Sequence, residues 1–361
     1  MNLSSATAHE IDPLTDPRWD AYVRAHPAGS VYQLGAWALI LERSYGFRPR
    51  YLAIEQGGLL AGVLPLFSKK GLISDARLRS IPAFFYGGPL ADDDSLALQL
   101  IEAARDLAAA DRDIASVMIN TDDRRLEAPE GFVLDELIPR WMVQIPADLD
   151  ALRASWRKTS NNLFRSLKKA DAAGHGFRAG ESLADLRSFH RLYVRTMKKH
   201  RSLPRSLRQL RVSQEMLGES FKLFLVSHEG RDVAGGVYHV FGDTVELVYN
   251  GSEEAALAMR PNHTLYWEVM QWAAATGLRQ VNLGGAEPDT PLAHFKVQWG
   301  AAPRTRYRLI YRADGKQTRT EALASMGHGA ESSGGRVMDF AWTAVPPSLL
   351  RLGAHIAYRY A

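Results

Sequence analysis

The sequence predicts an α+β protein of two tandem domains with mainly antiparallel sheets, followed by a linker and a short amphipathic helix. Three observations predict it. A segment repeats within the chain, the same order of strand and helix signals follows each copy, and 361 residues exceed what one ordinary core holds. The expected divisions are residues 1–147, 148–312, a flexible linker at 313–336 and a tail at 337–361.

The repeat pairs Tyr51–Leu66 (YLAIEQGGLLAGVLPL) with Phe224–His239 (FLVSHEGRDVAGGVYH), without a gap, at an offset of 173. Leu52 then falls on Leu225, Gly57 on Gly230, Ala61 on Ala234 and Gly62 on Gly235. Each copy reads as a strand, a glycine-containing turn and a second strand, the pattern of a hairpin. Helix and strand signals follow at Ser95–Ala109 and Ile114–Asn120 in the first half, and at Thr264–Ala275 and Arg279–Leu283 in the second. Upstream of each hairpin lies an apolar stripe at spacings of three and four: Leu34, Trp37, Ala38, Leu41 and Tyr45, then Leu152, Trp156, Leu163 and Leu167. Duplication accounts for the shared order.

Residues 313–335 are small, polar and glycine-rich, hence the linker. Beyond it Leu349, Leu350, Leu352, Ile356 and Tyr360 mark a short amphipathic helix. It either docks on the protein or lies at a membrane interface.

Composition narrows the function. Without cysteine there is no disulfide, thiolate zinc site or cysteine nucleophile, which suits a reducing cytosol. No apolar run is long enough to span a bilayer, and the first twenty residues lack the basic and apolar regions of a signal peptide. The expected location is cytoplasmic, peripheral at the inner membrane face only where the C-terminal helix lies on membrane and not on the protein. A net charge of +4 hides a basic block at 151–211, with 16 Lys/Arg against 3 Asp/Glu. Such a block is either a solvated helical surface or the footprint of an anionic partner. Arg157, Lys158, Arg165, Lys168 and Lys169, expected on one helix and its end, are the candidate anion contacts.

Hydrolase, metalloprotease and P-loop signatures are missing. His239 and His263 lack metal-ligand spacing and read as structural or substrate-contacting. The informative stretch is 244–300: a strand ending in Y-x-G-S, a Pro-Asn turn opening a helix, a strand ending in L-G-G, then F-K-x-x-W-G. With YQLGAWALILERSYG and FYGGPL (Phe85–Leu90) in the first half, this order resembles the FemAB family over residues 15–311. The P-P-x-L-L-x-L-G tail also resembles the subgroup found beside exosortase and exopolysaccharide genes.

The resemblance implies two acetyltransferase-like (GNAT/Fem) domains and transfer of an aminoacyl group from aminoacyl-tRNA to an amine of a peptidoglycan-type precursor. It implies no metal or organic cofactor; the acyl donor is a co-substrate. Carried over, Phe295 and Lys296 match the family's F-K pair at the acyl-transfer centre. A fixed cation there stabilises the oxyanion; the competing reading is a surface lysine whose methylenes cover an aromatic. Lys296 is expected just after a strand, and its loss is expected to cost activity with little stability. Asp289 is a general-base candidate or a turn cap. Tyr249, Asn250 and Gly251 end the strand whose splayed end holds the acyl carrier in this superfamily. Trp37, Arg260, His263 and Trp299 join Phe295 and these three as substrate-contact candidates. Met259-Arg260-Pro261-Asn262-His263 stands where CoA-dependent relatives carry a glycine-rich pyrophosphate loop, which favours tRNA or acyl carrier protein as carrier. Two further readings stay open: N-acylation in exopolysaccharide synthesis from acyl-CoA or acyl carrier protein, and a non-catalytic RNA-binding protein.

Overall fold

Both copies of the repeat fold as two-residue hairpins, and the backbone shows why. Gly57 and Gly58 have φ of 59° and 81°, and Glu229 and Gly230 have 48° and 74°. Two successive positive φ values make the turn whose twist matches its flanking strands. Gln56 pairs with Leu59 and His228 with Arg231, so the hairpins coincide one residue short of the 173 offset. The same one-residue correction superposes their bulges, at Ile54/Glu55 and at Val226/Ser227. Matching glycines had set the offset, whereas hairpin register is set by the turn, and a slip of one exchanges the two faces.

The computed structural model describes residues 7–70, 76–82, 84, 86–313, 346 and 353–354. The expected linker at 313–336, beyond Ala313, and the expected amphipathic helix lie outside the described residues, apart from Pro346, Gly353 and Ala354. Two units divide the chain: one runs to Ile138 and resumes at Thr305, the other spans Pro139–Arg304.

Unit 1 opens with β1 (His9–Glu10), α1 (Pro17–Ala25) and α2 (Ala36–Tyr45). The Asp16 side chain caps α1, and Gly46 at φ 71° ends α2. Short strands follow: β2 (Arg48–Pro49), β3 (Leu52–Gln56), β4 (Leu59–Leu64), β5 (Phe67–Lys69), β6 (Ala76–Arg79) and β7 (Leu90–Ala91). Then come α3 (Asp94–Ala110), β8 (Ile114–Asp122) and β9 (Phe132–Gln144), which passes into unit 2. Strands β1, β3, β4 and β7 form one sheet, while β6 pairs antiparallel with β5 and parallel with β8. Leu96, Ala97, Leu100, Ile101 and Ala104 of α3 pack on Leu78, Val117 and Ile119 of that second sheet.

Unit 2 begins with α4 (Leu149–Thr159) and α5 (Asn161–Ala172). The single helix expected here is two, because Ser160 leaves helical geometry at φ −146°, ψ 59°. Next are β10 (Gly176–Ala179), α6 (Leu183–Lys199), α7 (Leu207–Leu217), β11 (Phe221–His228), β12 (Arg231–Phe241) and β13 (Thr244–Ser252). The unit closes with α8 (Pro261–Ala275), β14 (Gln280–Gly285) and α9 (Pro291–Gln298). Strand order is β10-β11-β12-β13-β14, with the end of β9 beside β14. Only β13 and β14 run parallel, joined through α8, as β6 and β8 are joined through α3 in unit 1. Trp156, Trp267 and Trp299 meet edge-on in the core, with ring centroids 5.7 and 5.6 Å apart. The last strand, β15 (Ala302–Arg312), enters unit 1 from Thr305 and pairs with β8.

The turn geometry makes a prediction. Glu229 holds a left-handed conformation in which its Cβ crowds a carbonyl oxygen, a cost that Asn offsets by local hydrogen bonding. Glu229→Asn should therefore raise stability by roughly 0.5–1 kcal/mol. A urea midpoint unchanged or lowered at equal m-value would contradict this account of the turn.

Candidate functional site

The ladder between β13 and β14 lasts three residues, Thr244–Glu246 against Gln280–Asn282. Strand β13 then runs on alone to Ser252 on this side, and a cavity of about 540 Å³ opens beside its end. Its walls are the end of β13, the last turns of α6, the first turn of α8 and one side of α9. Four of the residues singled out in the sequence meet there: Asn250, Arg260, His263 and Phe295.

The polar groups at this cavity are unusual. Asn250 Nδ2 and Asn262 Oδ1 are buried and have no hydrogen-bond partner. One is a donor and the other an acceptor, and a buried polar atom left unpaired costs about 1–3 kcal/mol. Asn262 is otherwise fixed by its Nδ2 donating to Ser252 Oγ at 3.3 Å. Across the mouth, α6 projects Arg195 and Lys199, one turn apart. Arg195 pairs with Glu253, and Lys199 Nζ lies 2.7 Å from Glu254. Asn262 figured in the sequence only as part of the helix start, and Glu253, Glu254, Arg195 and Lys199 carried no motif that marked them as site residues. The last two were hidden inside the basic block, and only the i, i+4 spacing hinted at a shared face.

Helix α8 begins without a side-chain cap, from Arg260 at φ 65°. Of the first three helical positions, Pro261 has no N–H and that of His263 turns back onto the Arg260 carbonyl at 2.9 Å, leaving that of Asn262. A helix start usually presents such donors to phosphate; here they are largely spent. His263 is 9% exposed and meets the Phe295 ring edge-on at 5.3 Å. Burial, helped by the neighbouring Arg260 charge, holds its pKa down to about 4. It is uncharged at neutral pH.

The other candidates take different places. Tyr249 accepts a hydrogen bond from Gln209 Nε2 at 3.3 Å and packs on Tyr193. Gly251 is required by packing: a Cβ there would lie 2.5 Å from the Tyr193 backbone nitrogen. Trp299 is core, 1% exposed. Trp37 belongs to the interior of unit 1, fully buried, with its indole N–H on the Val31 carbonyl at 2.8 Å and its ring stacked on Tyr32. Its role is packing, because no face of it is left for a ligand. Asp289 is exposed at φ 62° in the turn before α9, and Thr290 rather than Asp289 caps that helix.

Lys296 departs most from expectation. It lies within α9, not directly after a strand, and is 2% exposed. Its ammonium donates to the carbonyls of Gly284 at 2.9 Å and Gly285 at 2.7 Å. Gly284 at φ 78° turns its carbonyl inward, so the L-G-G and F-K motifs are two halves of one clamp between β14 and α9. Loss of Lys296 is therefore expected to cost stability, where the sequence alone led to little expected change.

The anion candidates divide between the two helices: Arg157 and Lys158 on the last turn of α4, Arg165, Lys168 and Lys169 on α5. All five are exposed, and none has an ion pair among the described residues. Arg153 pairs with Asp171, and Lys168 also lies over the Phe164 ring at 5.4 Å.

Residues 157–297 match a family model described as an acetyltransferase (GNAT) domain. The fold is also that of known structures. FemX is 16% identical, with 85% of this chain and 97% of that chain covered and a TM-score of 0.64. A C-terminal domain from Agrobacterium fabrum, named for lysylphosphatidylglycerol synthetase, is 15% identical over 86% and 94%, with a TM-score of 0.53. A tandem GNAT protein from the clavulanic acid biosynthesis pathway is 12% identical over 87% and 100%, with a TM-score of 0.50. No curated protein matches the chain in sequence. Residues 157–297 thus form an acetyltransferase-type (GNAT) domain, the kind of domain that carries acyl transfer. In fold the chain is similar to FemX and to a tandem GNAT protein, with two acetyltransferase-like units in tandem.

Two measurements follow. Lys296→Met leaves two carbonyls without their donor and should lower unfolding free energy by roughly 1–3 kcal/mol, while Asp289→Gly should leave it level or raised. Equal stability of Lys296→Met and wild type would remove the clamp. For His263, the unfolded chain binds a proton near its ordinary pKa of 6.5 while the folded protein resists until about 4. Stability should thus fall as pH drops through that window, by up to about 1.4 kcal/mol per pH unit. His263→Phe should make that limb shallower, leaving the slope from His239, whose pKa burial holds down to about 3, and an unchanged pH profile would refute the assignment.

Proposed function

We propose that the protein transfers an aminoacyl group from a carrier ester to an amine of a cell-envelope precursor, with donor carbonyl and amine meeting in the unit 2 cavity. What carries this reading is the cavity itself, at the free end of β13 in a GNAT domain, with an unpaired buried donor and acceptor on its wall. The amine attacks the ester carbonyl, a C–N bond forms, the C–O bond to the carrier breaks, and the proton released by the amine goes to the departing oxygen. Asn250 Nδ2 is the group available to the carbonyl oxygen as negative charge develops. Asn262 Oδ1 is available to an amine N–H. Lys296 supports the centre by fixing α9, hence Phe295 on the cavity wall. No metal or organic cofactor enters the step.

The spent N-terminus of α8 argues against a CoA pyrophosphate cradle and for a larger carrier, tRNA before acyl carrier protein. The unpaired basic surface of α4 and α5 suits the phosphates of such a carrier. Two neighbours in fold are named for FemX and for joining lysyl to phosphatidylglycerol, which supports an acceptor of the cell envelope, peptide- or lipid-linked. Among the described residues no helix is long and apolar enough to cross a membrane. We place the reaction in the cytoplasm, where carrier and precursor are made.

The test combines activity and binding. Purified protein is offered mixed aminoacyl-tRNA, acyl-CoA and acyl carrier protein with amine acceptors, and tRNA binding is titrated with salt. The expected result is aminoacyl-tRNA turnover, lowered about 10²-fold in Asn250→Ala. Binding should fall steeply with salt, and charge reversal at Lys168 and Lys169 should raise the donor KM without changing folding. Turnover of acyl-CoA or acyl carrier protein alone would move the protein to N-acylation in exopolysaccharide synthesis. Salt-sensitive tRNA binding without turnover of any donor would leave an RNA-binding protein.

A further inference from the structure

Unit 1 holds a concentration of positive charge that nothing in the acyl-transfer reading uses. Leu78, Val117, Ile119 and Leu309 point into the core, so their alternating neighbours occupy the opposite face of the same sheet. The registers place Arg77 beside Ser116, Arg79 beside Met118, Arg308 beside Asn120 and Arg312 beside Ser116. One face of three adjacent strands thus carries four arginines. Ser116, Met118 and Ile310 between them are only part-buried, so the face is open to solvent in places.

Arg79 is the informative member. Its Nε and Nη2 are enclosed and have no hydrogen-bond partner, although the residue as a whole stays part-buried. A guanidinium with a structural role finds an oxygen. Arg306 shows this on β15, where Nε and Nη2 both donate to the Ile138 carbonyl at 3.0 and 2.5 Å. Arg308 is held in place, its Nε 3.1 Å from Asn120 Oδ1, and Asn120 is in turn fixed by the carbonyls of Phe84 and Tyr86. Burial first, then the charges of Arg77 and Arg308, bring the pKa of Arg79 down to about 10, and no carboxylate offsets them. Arg308 is likewise brought down to about 10 by burial, with Asp135 opposing and Arg306 adding to the shift. An enclosed cation beside other cations is destabilising until an anion joins it.

We infer that Arg79 and Arg308, the enclosed pair on the arginine-bearing face of the unit 1 sheet, form a binding site for a phosphate group that enters past the part-buried Ser116, Met118 and Ile310. Arginine's planar fork suits an oxyanion, and two or more guanidiniums facing one ligand favour a dianion over a singly charged carboxylate. The site lies outside the matched GNAT domain and stands independently of the unit 2 cavity.

The experiment uses the full chain and inorganic phosphate, with thermal unfolding and calorimetric titration as readouts. Sodium chloride and sodium acetate at equal ionic strength serve as comparisons. Wild type should show saturable binding and a rising Tm with phosphate, and little with acetate. Arg79→Gln, which keeps a polar N–H donor but drops the charge and the guanidinium fork, should weaken phosphate about tenfold or more. Arg79→Leu should abolish the effect and, without phosphate, melt at or above the wild-type temperature, since it removes an unpaired enclosed charge. Reversing Lys168 and Lys169 should leave phosphate binding unchanged. The inference is overturned if wild type shows no saturable phosphate binding, if Arg79→Gln binds within twofold of wild type, if acetate binds equally well, or if the α5 reversal alone removes the effect.

Discussion

The buried ammonium of Lys296 is the interaction on which the second unit's arrangement turns. A lysine charge taken out of water is costly unless donors and acceptors are matched around it. Here two backbone carbonyls supply the match, and one is available only because Gly284 adopts φ 78°. The clamp fixes the end of β14 to α9, which sets Phe295 on the cavity wall and Trp299 in the core. The place where β13 parts from β14 is thereby held open by a polar contact, while the tryptophan cluster supplies the apolar packing.

The two units share a plan and spend it differently. Each has a two-residue hairpin with a bulge and a parallel strand–helix–strand connection. In unit 2 the hairpin continues into the same sheet as β13, and the parallel pair frays into a cavity lined by amides. In unit 1 the hairpin and the parallel pair lie in different sheets, and the parallel pair carries arginines where unit 2 carries a cleft. The same backbone geometry thus carries two different polar surfaces, as expected when function resides in the side chains placed on a fold.

Charge shows the same division of labour. The basic block is not one surface. Arg195 and Lys199 on α6 are neutralised by Glu253 and Glu254 at the cavity, and Arg178 by Asp185 and Asp232. Among the described residues the charges without an ion pair include the five on α4 and α5, and Arg187, Arg208 and Arg211 on α6 and α7. These exposed pairs contribute little to stability, so their arrangement matters for what approaches the protein more than for what holds it together.

Local sequence determined a good deal by itself. Periodicity placed α2, α3, α8 and the buried stripe Trp156–Leu163–Leu167, because helical burial repeats at a spacing readable in one dimension. The motif order placed Asn250, Arg260, His263 and Phe295 in one region, and the structure gathers them around one cavity. Tertiary structure alone decided the rest. Whether Trp37 is core or contact, whether Lys296 faces a cleft or two carbonyls, and which arginines have partners all depend on residues far away in sequence. Ile138 meets Arg306, and Asn120 meets Arg308, only after strands from both ends of the chain pair. Hydrogen-bond satisfaction is a property of assembled neighbours, and the one-residue register of a hairpin is fixed by its turn dihedrals, so neither is written in the identity of a single residue.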